Sequence, residues 1–385
     1  MKPNSTETLH IWVPNIFGFK GGIQVYSKQF IETCKTITPQ SVLDVSLLHD
    51  TAKSCFEAQA LEQVKFHFVG QWPIKIRNLV FSLVVILNAI RRHPDLIITT
   101  HLNFTPIAYW LKLGWGIPYW TIAHGVEAWD IQKPKVKQAL KTADLILAVS
   151  NYTRNRLIQE QKLHPNQVVV VPNTVNPERF KIASKPDYLL SRYGLSSDRP
   201  IILTVCRLCK DETYKSYDSI LEALPIIKKV LPDVHYLLAG KGDDRERILA
   251  KVAEIGLGDS VTLAGFIPDK ELPDHYNLCD IFALPSKLEG FGIVYLEALA
   301  CGKPALGGNQ DGAVDALCGG KLGALVDPDD IAAIAQTLIQ MLQGTFPNPL
   351  MYQPEALRQA VIDTYGMAAF QRRLADLLQE QGILP

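Results

Sequence analysis

The chain has 385 residues, a hydrophobic content of 47%, a charged content of 20% and a formal net charge of +0. At about 100–200 residues per domain, this length predicts two domains that each bury a core, as in an ordinary soluble globular protein. The charge is uneven: residues 1–175 hold 18 Lys and Arg against 11 Asp and Glu, which leaves 21 against 28 for the remainder. So modest a basic excess disfavours nucleic-acid binding but fits an anionic partner or surface. Two ordinary domains of different surface charge are the alternative.

Neither the cysteines nor the apolar segments indicate a secreted or membrane-spanning chain. The seven cysteines are scattered, and Cys206 and Cys209 have no second pair at zinc-ribbon spacing, which predicts reduced thiols and a cytoplasmic location. The N-terminus lacks a signal-peptide pattern. The longest apolar run, Leu79–Ile90, has 12 residues, short of the ~20 that a spanning helix needs. We therefore expect a buried helix, and the basic residues that flank this run leave a helix on the surface of a membrane as the alternative.

Short apolar strands alternate with helical stretches along the whole chain. The first half contains HIWVPN, DLIITTH, YWTIAHG and LILAVS, and the second contains IILTVCR, VHYLLAGKG, VTLAGF, IFALPS and PALGG. This alternation predicts βαβ units with parallel sheets, and the two series, joined near VVVVPNTVNPERF, predict two doubly wound α/β domains. Ligands of such sheets bind beyond the carboxyl ends of the strands. A last helical stretch, about Gln353 to Gln381, ends the chain without a new strand.

Two glycine-rich turns open predicted helices. Gly21 and Gly22 stand in FKGGIQVYS, and Gly290, Phe291 and Gly292 form a GFG turn. Backbone N–H groups at such turns can contact an anion at a helix N-terminus. Neither turn is G-x-G-x-x-G or G-x-x-x-x-G-K-[ST], which counts against a dinucleotide site or a P-loop. For Gly21 and Gly22 a plain turn is the alternative.

Charged side chains and one histidine follow the predicted strands. Arg207 and Lys215 stand near helix N-termini and form a candidate diphosphate clamp, with solvated loop residues as the alternative. His124 ends YWTIAHG, where a histidine is often structural. Glu289 and Glu297 lie on either side of the GFG turn and an apolar helix. A carboxylate is costly to bury without a partner, so we predict that the substrate pairs with these two.

A metal site is not expected. DPDD at Asp327–Asp330 contains D-x-D, but Pro328 and the helix that follows favour Asp329 or Asp330 as an N-cap. No histidine cluster has ligand spacing, and no G-x-S-x-G elbow is present.

The chain resembles the retaining glycosyltransferases of family GT4 over nearly its whole length. EGFGIVYLE, Glu289–Glu297, matches the E-x7-E signature of that family. Around it stand GGIQ, AHGVE, AVSNYT, VPNTVN, CRLCKDETYKSYD, LAGKGD, LAGF and LVDPDD, in the order of the family. The resemblance implies the GT-B architecture, in which two facing Rossmann-like domains with parallel sheets border an interdomain cleft. It places the acceptor-binding domain at 1–176, the nucleotide-sugar-binding domain at 177–362, and a C-terminal helix at 363–385 that packs back toward the first domain.

The resemblance also implies residue roles. Glu297 would accept hydrogen bonds from the ribose of a nucleotide sugar, and Glu289 would orient the donor sugar and stabilise positive charge at its anomeric carbon. Arg207 and Lys215 would neutralise the diphosphate, and His124 would contact the donor sugar. Backbone groups of the two glycine-rich turns would assist in binding the donor, namely Gly21, Gly22, Gly290, Phe291 and Gly292.

The implied reaction is transfer of a sugar from a UDP- or GDP-sugar to an acceptor hydroxyl, with retention and without a metal or another cofactor. The acceptor would be a glycan, a lipid-linked sugar or a small molecule, bound by first-domain loops at Ile16–Lys20, Gln71–Asn78 and Val126–Lys137. In the last of these loops Trp129 and Asp130 are the candidate acceptor contacts. An anionic membrane surface on the cytoplasmic side is a further candidate partner, and nucleic acid is not.

Some features depart from the family pattern. Many relatives have Lys-Gly where this chain has Lys215-Ser216, which puts the local backbone conformation in doubt, and Lys210 is a rival for the phosphate contact. Two other functions remain as alternatives. One is an epimerase or phosphorylase-like enzyme with the same fold, and the other is a catalytically silent transferase-like binding protein.

Overall fold

The structure is a computed structural model that describes residues 7–18, 21–53 and 64–384. The chain divides into two units. The first consists of Met1–Thr174 with Ala368–Pro385, and the second consists of Val175–Met367.

The described residues of the first unit form a seven-stranded parallel sheet. Its strands are β1 (Thr8–Val13), β2 (Val42–Leu47), β3 (Val64–Phe68), β4 (Leu96–Thr99), β5 (Tyr119–Ala123), β6 (Leu145–Ala148) and β7 (Val168–Val170). The helices between them are α1 (Gly22–Ile37), α2 (Ile74–Arg92), α3 (Thr105–Trp115), α4 (Pro134–Thr142) and α5 (Asn151–Gln161). The strand order is β3-β2-β1-β4-β5-β6-β7. Successive strands are added on one side of β1 up to β3 and on its other side from β4 onward, as in a doubly wound fold.

The second unit repeats this arrangement with six parallel strands. They are β8 (Ile201–Val205), β9 (His235–Ala239), β10 (Val261–Gly265), β11 (Ile281–Leu284), β12 (Ala305–Gly308) and β13 (Ala324–Val326), in the order β10-β9-β8-β11-β12-β13. Its helices are α6 (Asp187–Tyr193), α7 (Tyr217–Val230), α8 (Arg245–Glu254), α9 (Leu272–Leu278), α10 (Ile293–Ala300), α11 (Ala313–Ala316), α12 (Ile331–Leu342) and α13 (Pro354–Tyr365). The predicted pair of doubly wound α/β domains with parallel sheets is therefore confirmed.

The central strands are buried because helices cover both faces of each sheet. All four residues of β4, β6 and β11, and all five residues of β5 and β9, are buried. This explains why their sequences are continuous apolar runs rather than alternating ones. The first residues beyond these strands are consequently the ones that reach a ligand-accessible edge, and the candidate site residues follow β1, β5, β8 and β11.

The chain ends in two helices rather than the single stretch predicted over Gln353 to Gln381. α13 stops at Tyr365, and α14 (Met367–Glu380) begins after Gly366, which has extended backbone and pairs with Val175. A Cβ atom at position 366 would lie 2.5 Å from the Ile362 carbonyl oxygen, so this turn requires glycine. The last helix belongs to the first unit, where its Phe370 ring packs edge-on against Tyr26 at 5.7 Å.

Among the described residues, no helix is both long and apolar enough to cross a membrane.

Candidate active site

Glu289 is paired with Lys215 in the second unit. It stands on the loop that leads from β11 to α10, and its Oε2 lies 2.5 Å from the Lys215 Nζ. The two side chains are only 18% and 13% exposed, so the pair is largely shielded from water. Burial alone would lower the pKa of Lys215, but the adjacent Glu289 carboxylate outweighs burial and raises that pKa well above its usual value. Lys215 is therefore a fixed cation at neutral pH, held against the Glu289 carboxylate.

Glu297 lies on α10, in the second turn of that helix, and is almost fully buried. The Tyr276 hydroxyl donates a hydrogen bond of 2.7 Å to its Oε2. Burial raises the pKa of Glu297 to about 7, although the hydrogen bond from Tyr276 opposes the shift. A ligand that donates further hydrogen bonds to this buried carboxylate would stabilise its charged form and lower its pKa.

Both signature carboxylates thus have a protein partner before any substrate is present. The prediction that the substrate supplies their pairing was incomplete. Lys215 and Tyr276 are 74 and 21 residues away from Glu289 and Glu297, respectively.

Asp311, in the loop after β12, holds the Glu289 loop in place, and the sequence reasoning missed it. Its Oδ2 accepts hydrogen bonds from the Glu289 N–H at 2.6 Å and from the Ser286 hydroxyl at 2.7 Å. Its Oδ1 accepts one from the Ala313 N–H at 2.9 Å. The side chain is buried, and burial raises its pKa to about 7 despite these hydrogen bonds. A charged residue in the segment GGNQDG, directly after an apolar strand, is the signal that could have revealed it.

Glycines allow two backbone segments to meet beneath this loop. The Gly312 N–H donates to the Glu289 carbonyl at 2.8 Å, and a Cβ atom at position 312 would lie 2.2 Å from the Gly290 carbonyl oxygen. Gly292 precedes α10 with φ of 88°, in the left-handed region, where a Cβ would also strike the Tyr295 ring. Phe291, between the two glycines, is buried. The GFG turn is thus shaped by close contacts that exclude larger residues.

Arg207 lies two residues beyond the end of β8, and its side chain is 60% exposed. Its Nη2 lies 2.5 Å from Oε1 of Glu212, a residue of the same loop. Lys210, the rival cation, is exposed, and its backbone N–H donates to Asp243 at 3.0 Å. Of the two lysines, only Lys215 contacts a signature carboxylate among the described residues.

Ser216 has φ of 55° and ψ of 29°, which is the left-handed conformation. It ends the short 3-10 turn Lys210–Lys215, and its N–H donates to the Thr213 carbonyl at 3.0 Å. The chain therefore keeps the backbone geometry for which glycine is preferred, with a serine in its place. The doubt raised by the Lys-Ser pair is answered: the substitution leaves the turn that presents Lys215 intact.

The candidate residues of the first unit centre on His124, the residue after β5. Its Nε2 lies 3.0 Å from the Thr100 carbonyl oxygen, and its backbone N–H donates to Glu127 Oε1 at 2.6 Å. Burial lowers the pKa of His124 to about 4, so the ring is neutral at pH 7. A carbonyl oxygen can only accept, so the neutral ring carries its proton on Nε2 and leaves Nδ1 as an acceptor. The Tyr26 ring packs edge-on against the imidazole at 5.1 Å.

Gly21 and Gly22 stand at the N-terminus of α1. No side chain caps this helix, and a Cβ atom at Gly22 would meet no other atom within 4 Å. The described part of the preceding loop is held by Asp50, whose carboxylate accepts from the N–H groups of Ile16, Phe17 and Gly18 at 2.6, 3.1 and 2.8 Å. Residues 19 and 20 of the predicted acceptor loop lie outside the described residues.

Trp129 and Asp130, the candidate acceptor contacts, both contact Arg156. Trp129 is 7% exposed, and the Arg156 guanidinium lies 4.8 Å from its ring centroid. Asp130 is 77% exposed and pairs with the same guanidinium at 2.9 Å. Asp130 is therefore the more accessible of the two to an acceptor.

The DPDD segment behaves as a helix cap. The Asp330 side chain accepts a hydrogen bond of 2.9 Å from the Ala333 N–H at the start of α12, which confirms the capping prediction. Within the described part of the chain, no group of three or more His, Cys, Asp or Glu side chains could hold a metal ion.

Two family models match the chain. The model described as "Glycosyl transferases group 1" matches residues 190–380, and the one described as "Glycosyltransferase Family 4" matches residues 43–179.

The relatives in sequence are bacterial enzymes. A GDP-mannose-dependent alpha-(1-6)-phosphatidylinositol monomannoside mannosyltransferase from Mycolicibacterium smegmatis is 32% identical over 270 residues, which cover 66% of this chain and 68% of that relative. A GDP-mannose-dependent monoacylated alpha-(1-6)-phosphatidylinositol monomannoside mannosyltransferase from Corynebacterium glutamicum is 26% identical over 377 residues, 94% of this chain and 95% of the relative.

A solved structure extends the likeness of fold to nearly the full length. Sucrose-phosphate synthase from Thermosynechococcus elongatus superimposes with a TM-score of 0.78 at 19% identity, covering 98% of this chain and 99% of that one.

Proposed function

Since the chain belongs to the GT4 family of glycosyltransferases and has the GT-B fold, we propose that it transfers a mannosyl group from GDP-mannose to a hydroxyl of an anionic, lipid-linked acceptor. Retention of the anomeric configuration and independence of a metal ion are parts of the same proposal. The observation that carries it is the buried Lys215–Glu289 pair on the E-x7-E loop. The names of two relatives, both GDP-mannose-dependent, support the choice of donor.

Glu297 binds the ribose of the donor in this proposal. Its buried carboxylate has one hydrogen bond, from Tyr276, and a ribose offers two adjacent hydroxyl donors. Hydrogen bonds to an ionised carboxylate are about twice as strong as those between neutral groups, so the hydroxyls favour the charged form. Donor binding therefore releases a proton near pH 7, and the affinity rises with pH through that range.

The leaving diphosphate is stabilised by Lys215 and Arg207. The bond between the anomeric carbon and the β-phosphate oxygen breaks with its electron pair on that oxygen, so negative charge grows there. Fixed cations aimed at developing charge are among the strongest catalytic devices. The N–H groups of the GFG turn and of Gly22 add partial positive charge, and this set supplies without a metal ion the charge that a metal would provide.

The acceptor hydroxyl attacks on the face from which the diphosphate departs. A new bond forms between the acceptor oxygen and the anomeric carbon, and the hydroxyl proton passes to the departing phosphate oxygen. Glu289 stabilises positive charge at the anomeric carbon without forming a bond to it. The neutral His124 ring offers Nδ1 as an acceptor to a hydroxyl of the donor sugar.

The acceptor is proposed on two grounds. The acceptors in the names of both relatives are phosphatidylinositol monomannosides, which are anionic lipids. The first unit carries an excess of basic residues, with 20 Lys and Arg against 13 Asp and Glu. Phosphatidylinositol monomannoside is therefore the first acceptor to test.

A thermal-stability screen of the purified protein against GDP-mannose, UDP-glucose and ADP-glucose tests the donor assignment. A ligand at 100 times its dissociation constant stabilises the folded protein by roughly 2.7 kcal/mol. We expect a clear rise in unfolding temperature with GDP-mannose that is lost in Glu297→Ala and kept in Glu246→Ala, whose side chain is 87% exposed. A rise only with another nucleotide sugar would overturn the donor assignment. No rise with any nucleotide sugar would favour a silent transferase-like binding protein.

A further inference from the structure

Helix α2 presents an apolar stripe to the outside of the first unit. Large apolar side chains are exposed at spacings of three or four residues, which places them along one side of the helix. They are Ile76 (41%), Leu79 (63%), Leu83 (51%), Leu87 (48%) and Ile90 (37%). Another side of the same helix buries Phe81, Val85 and Ala89 against the unit, so α2 is apolar both where it meets the protein and where it does not.

Helix α3 extends this stripe into a patch. Trp110, Leu113 and Trp115 are 63%, 60% and 45% exposed. The two helices are joined at two points. The Phe81 ring of α2 lies 4.8 Å from the ring of Phe104, just ahead of α3, and the Nε2 of His93, just after α2, lies 3.2 Å from the carbonyl oxygen of Trp115 at the end of α3. The exposed apolar residues of α2 and α3, with Trp72 and Ile74 just ahead of Ile76, are called the α2–α3 patch below. So large an exposed apolar area is unusual in a protein without a partner there.

The charged residues of α2 and α3 themselves are all basic. Neither α2 nor α3 contains an aspartate or a glutamate. Lys75 and Arg91 stand exposed near the two ends of α2, and neither forms an ion pair with another described residue. Arg77 donates from Nε and Nη2 to the Trp72 carbonyl at 3.1 and 3.0 Å, which fixes the chain ahead of the helix. The patch therefore complements a surface that is apolar inside and negatively charged at its rim.

We propose that the α2–α3 patch docks on an anionic lipid bilayer, with α2 lying in the plane of the interface. Leucine and isoleucine side chains enter the acyl boundary, Lys75 and Arg91 contact phosphate groups, and Trp72, Trp110 and Trp115 lie at the level of the headgroups. This is the arrangement that apolar, basic and tryptophan side chains favour at a membrane surface. At 19 residues α2 is about 28 Å long, enough to lie along the surface with both basic ends in contact.

A second copy of the chain fits this patch less well. A symmetric dimer would place the same patch on both subunits, with basic rims facing each other and no acidic residue from α2 or α3 to compensate. A bilayer supplies apolar and anionic groups together.

Co-sedimentation with vesicles tests the proposal without any nucleotide sugar, so its outcome does not depend on the proposed reaction. The vesicles are phosphatidylcholine alone and phosphatidylcholine mixed with an equal amount of phosphatidylglycerol. We expect binding to the mixed vesicles, weaker binding at high salt, and a blue shift of tryptophan emission on binding.

Two double variants separate the apolar from the basic contribution. Leu79→Ser with Leu83→Ser should abolish binding. Lys75→Gln with Arg91→Gln should lower the partition constant about thirtyfold, since each basic residue at an anionic surface contributes roughly 1 kcal/mol. Ile226→Ser with Leu249→Ser is the matched control in the second unit, with side chains 39% and 36% exposed, and should bind as the parent does. Circular dichroism checks that every variant is folded.

Three results would overturn the proposal. They are no binding to either vesicle, equal binding to both, or equal loss of binding in the control pair. A concentration-dependent dimer in light scattering that dissociates in the leucine variant would instead assign the patch to self-association.

Discussion

Replacing Glu297 by glutamine should stabilise the ligand-free protein at alkaline pH and lower its affinity for the donor. Burial raises the pKa of this carboxyl from 4.5 to about 7. Between those two values the unfolded chain has lost a proton that the folded protein still holds, so the folded state loses stability as pH rises. A pKa shift of that size lowers the free energy of unfolding by about 3 kcal/mol, and this loss is complete above pH 7. Glutamine has no charge to bury and still accepts from the Tyr276 hydroxyl.

The assay is thermal unfolding of Glu297→Gln and of the parent protein at pH 8 and at pH 4.5. At pH 8 we expect the variant to unfold up to roughly 6–12 °C higher, as about 3 kcal/mol does in a unit of this size. At pH 4.5 the parent carboxyl is protonated in the folded state and half protonated in the unfolded chain, so the difference should fall to about a tenth of its value at pH 8. Glu246→Gln, at an exposed side chain, is the control and should show no difference at either pH. An equal gain at both pH values would refute the reasoning, because it could not come from the buried charge.

Four further predictions concern the site. Arg207→Ala should lower turnover by about two to three orders of magnitude, measured as release of GDP, because it removes a cation from the leaving group; near-normal turnover would place the phosphate contact elsewhere. Asp311→Asn should lower kcat and, at saturating donor, remove the fall in kcat below pH 7 that we expect of the parent protein, and an unchanged pH profile of kcat would make Asp311 merely structural. Ser216→Gly should raise the free energy of unfolding by roughly 0.5–1 kcal/mol by relieving a left-handed serine, and a loss of stability would contradict that. EDTA should leave turnover unchanged, whereas full loss that Mg²⁺ or Mn²⁺ restores would show that a metal takes part.

The sequence predicted the general architecture because parallel sheets leave a plain signature of short, continuous apolar runs. It did not reveal β2, β3 or the short strand β13. β2 reads VLDVSL, and its buried Asp44 interrupts the apolar run. The Asp44 Oδ1 lies 2.5 Å from Nε2 of His67 on β3, and no local sequence pattern predicts this pairing. β3 is an edge strand of five residues in which Lys65 and His67 alternate with apolar residues, so it lacks the continuous apolar run that marked the other strands.

The candidate site was predictable in its residue types and not in their pairing. The E-x7-E segment, Arg207 and Lys215 stand out because each follows a recognisable strand. Their contacts depend on residues distant in sequence: Lys215 reaches Glu289, and Asp311 supports the loop from another strand end. Side-chain partners across a sheet follow from strand order, and only the folded chain fixes that order and the rotamers.

Transfer to an acceptor tests the central claim most directly. GDP-mannose and phosphatidylinositol monomannoside would be incubated with the protein, and the anomeric configuration of the product determined by NMR, with Lys215→Met as the inactive control. The account predicts an α-linked mannosyl product, which retains the configuration of the donor, and loss of that product in Lys215→Met. A β-linked product, or full activity in Lys215→Met, would contradict it.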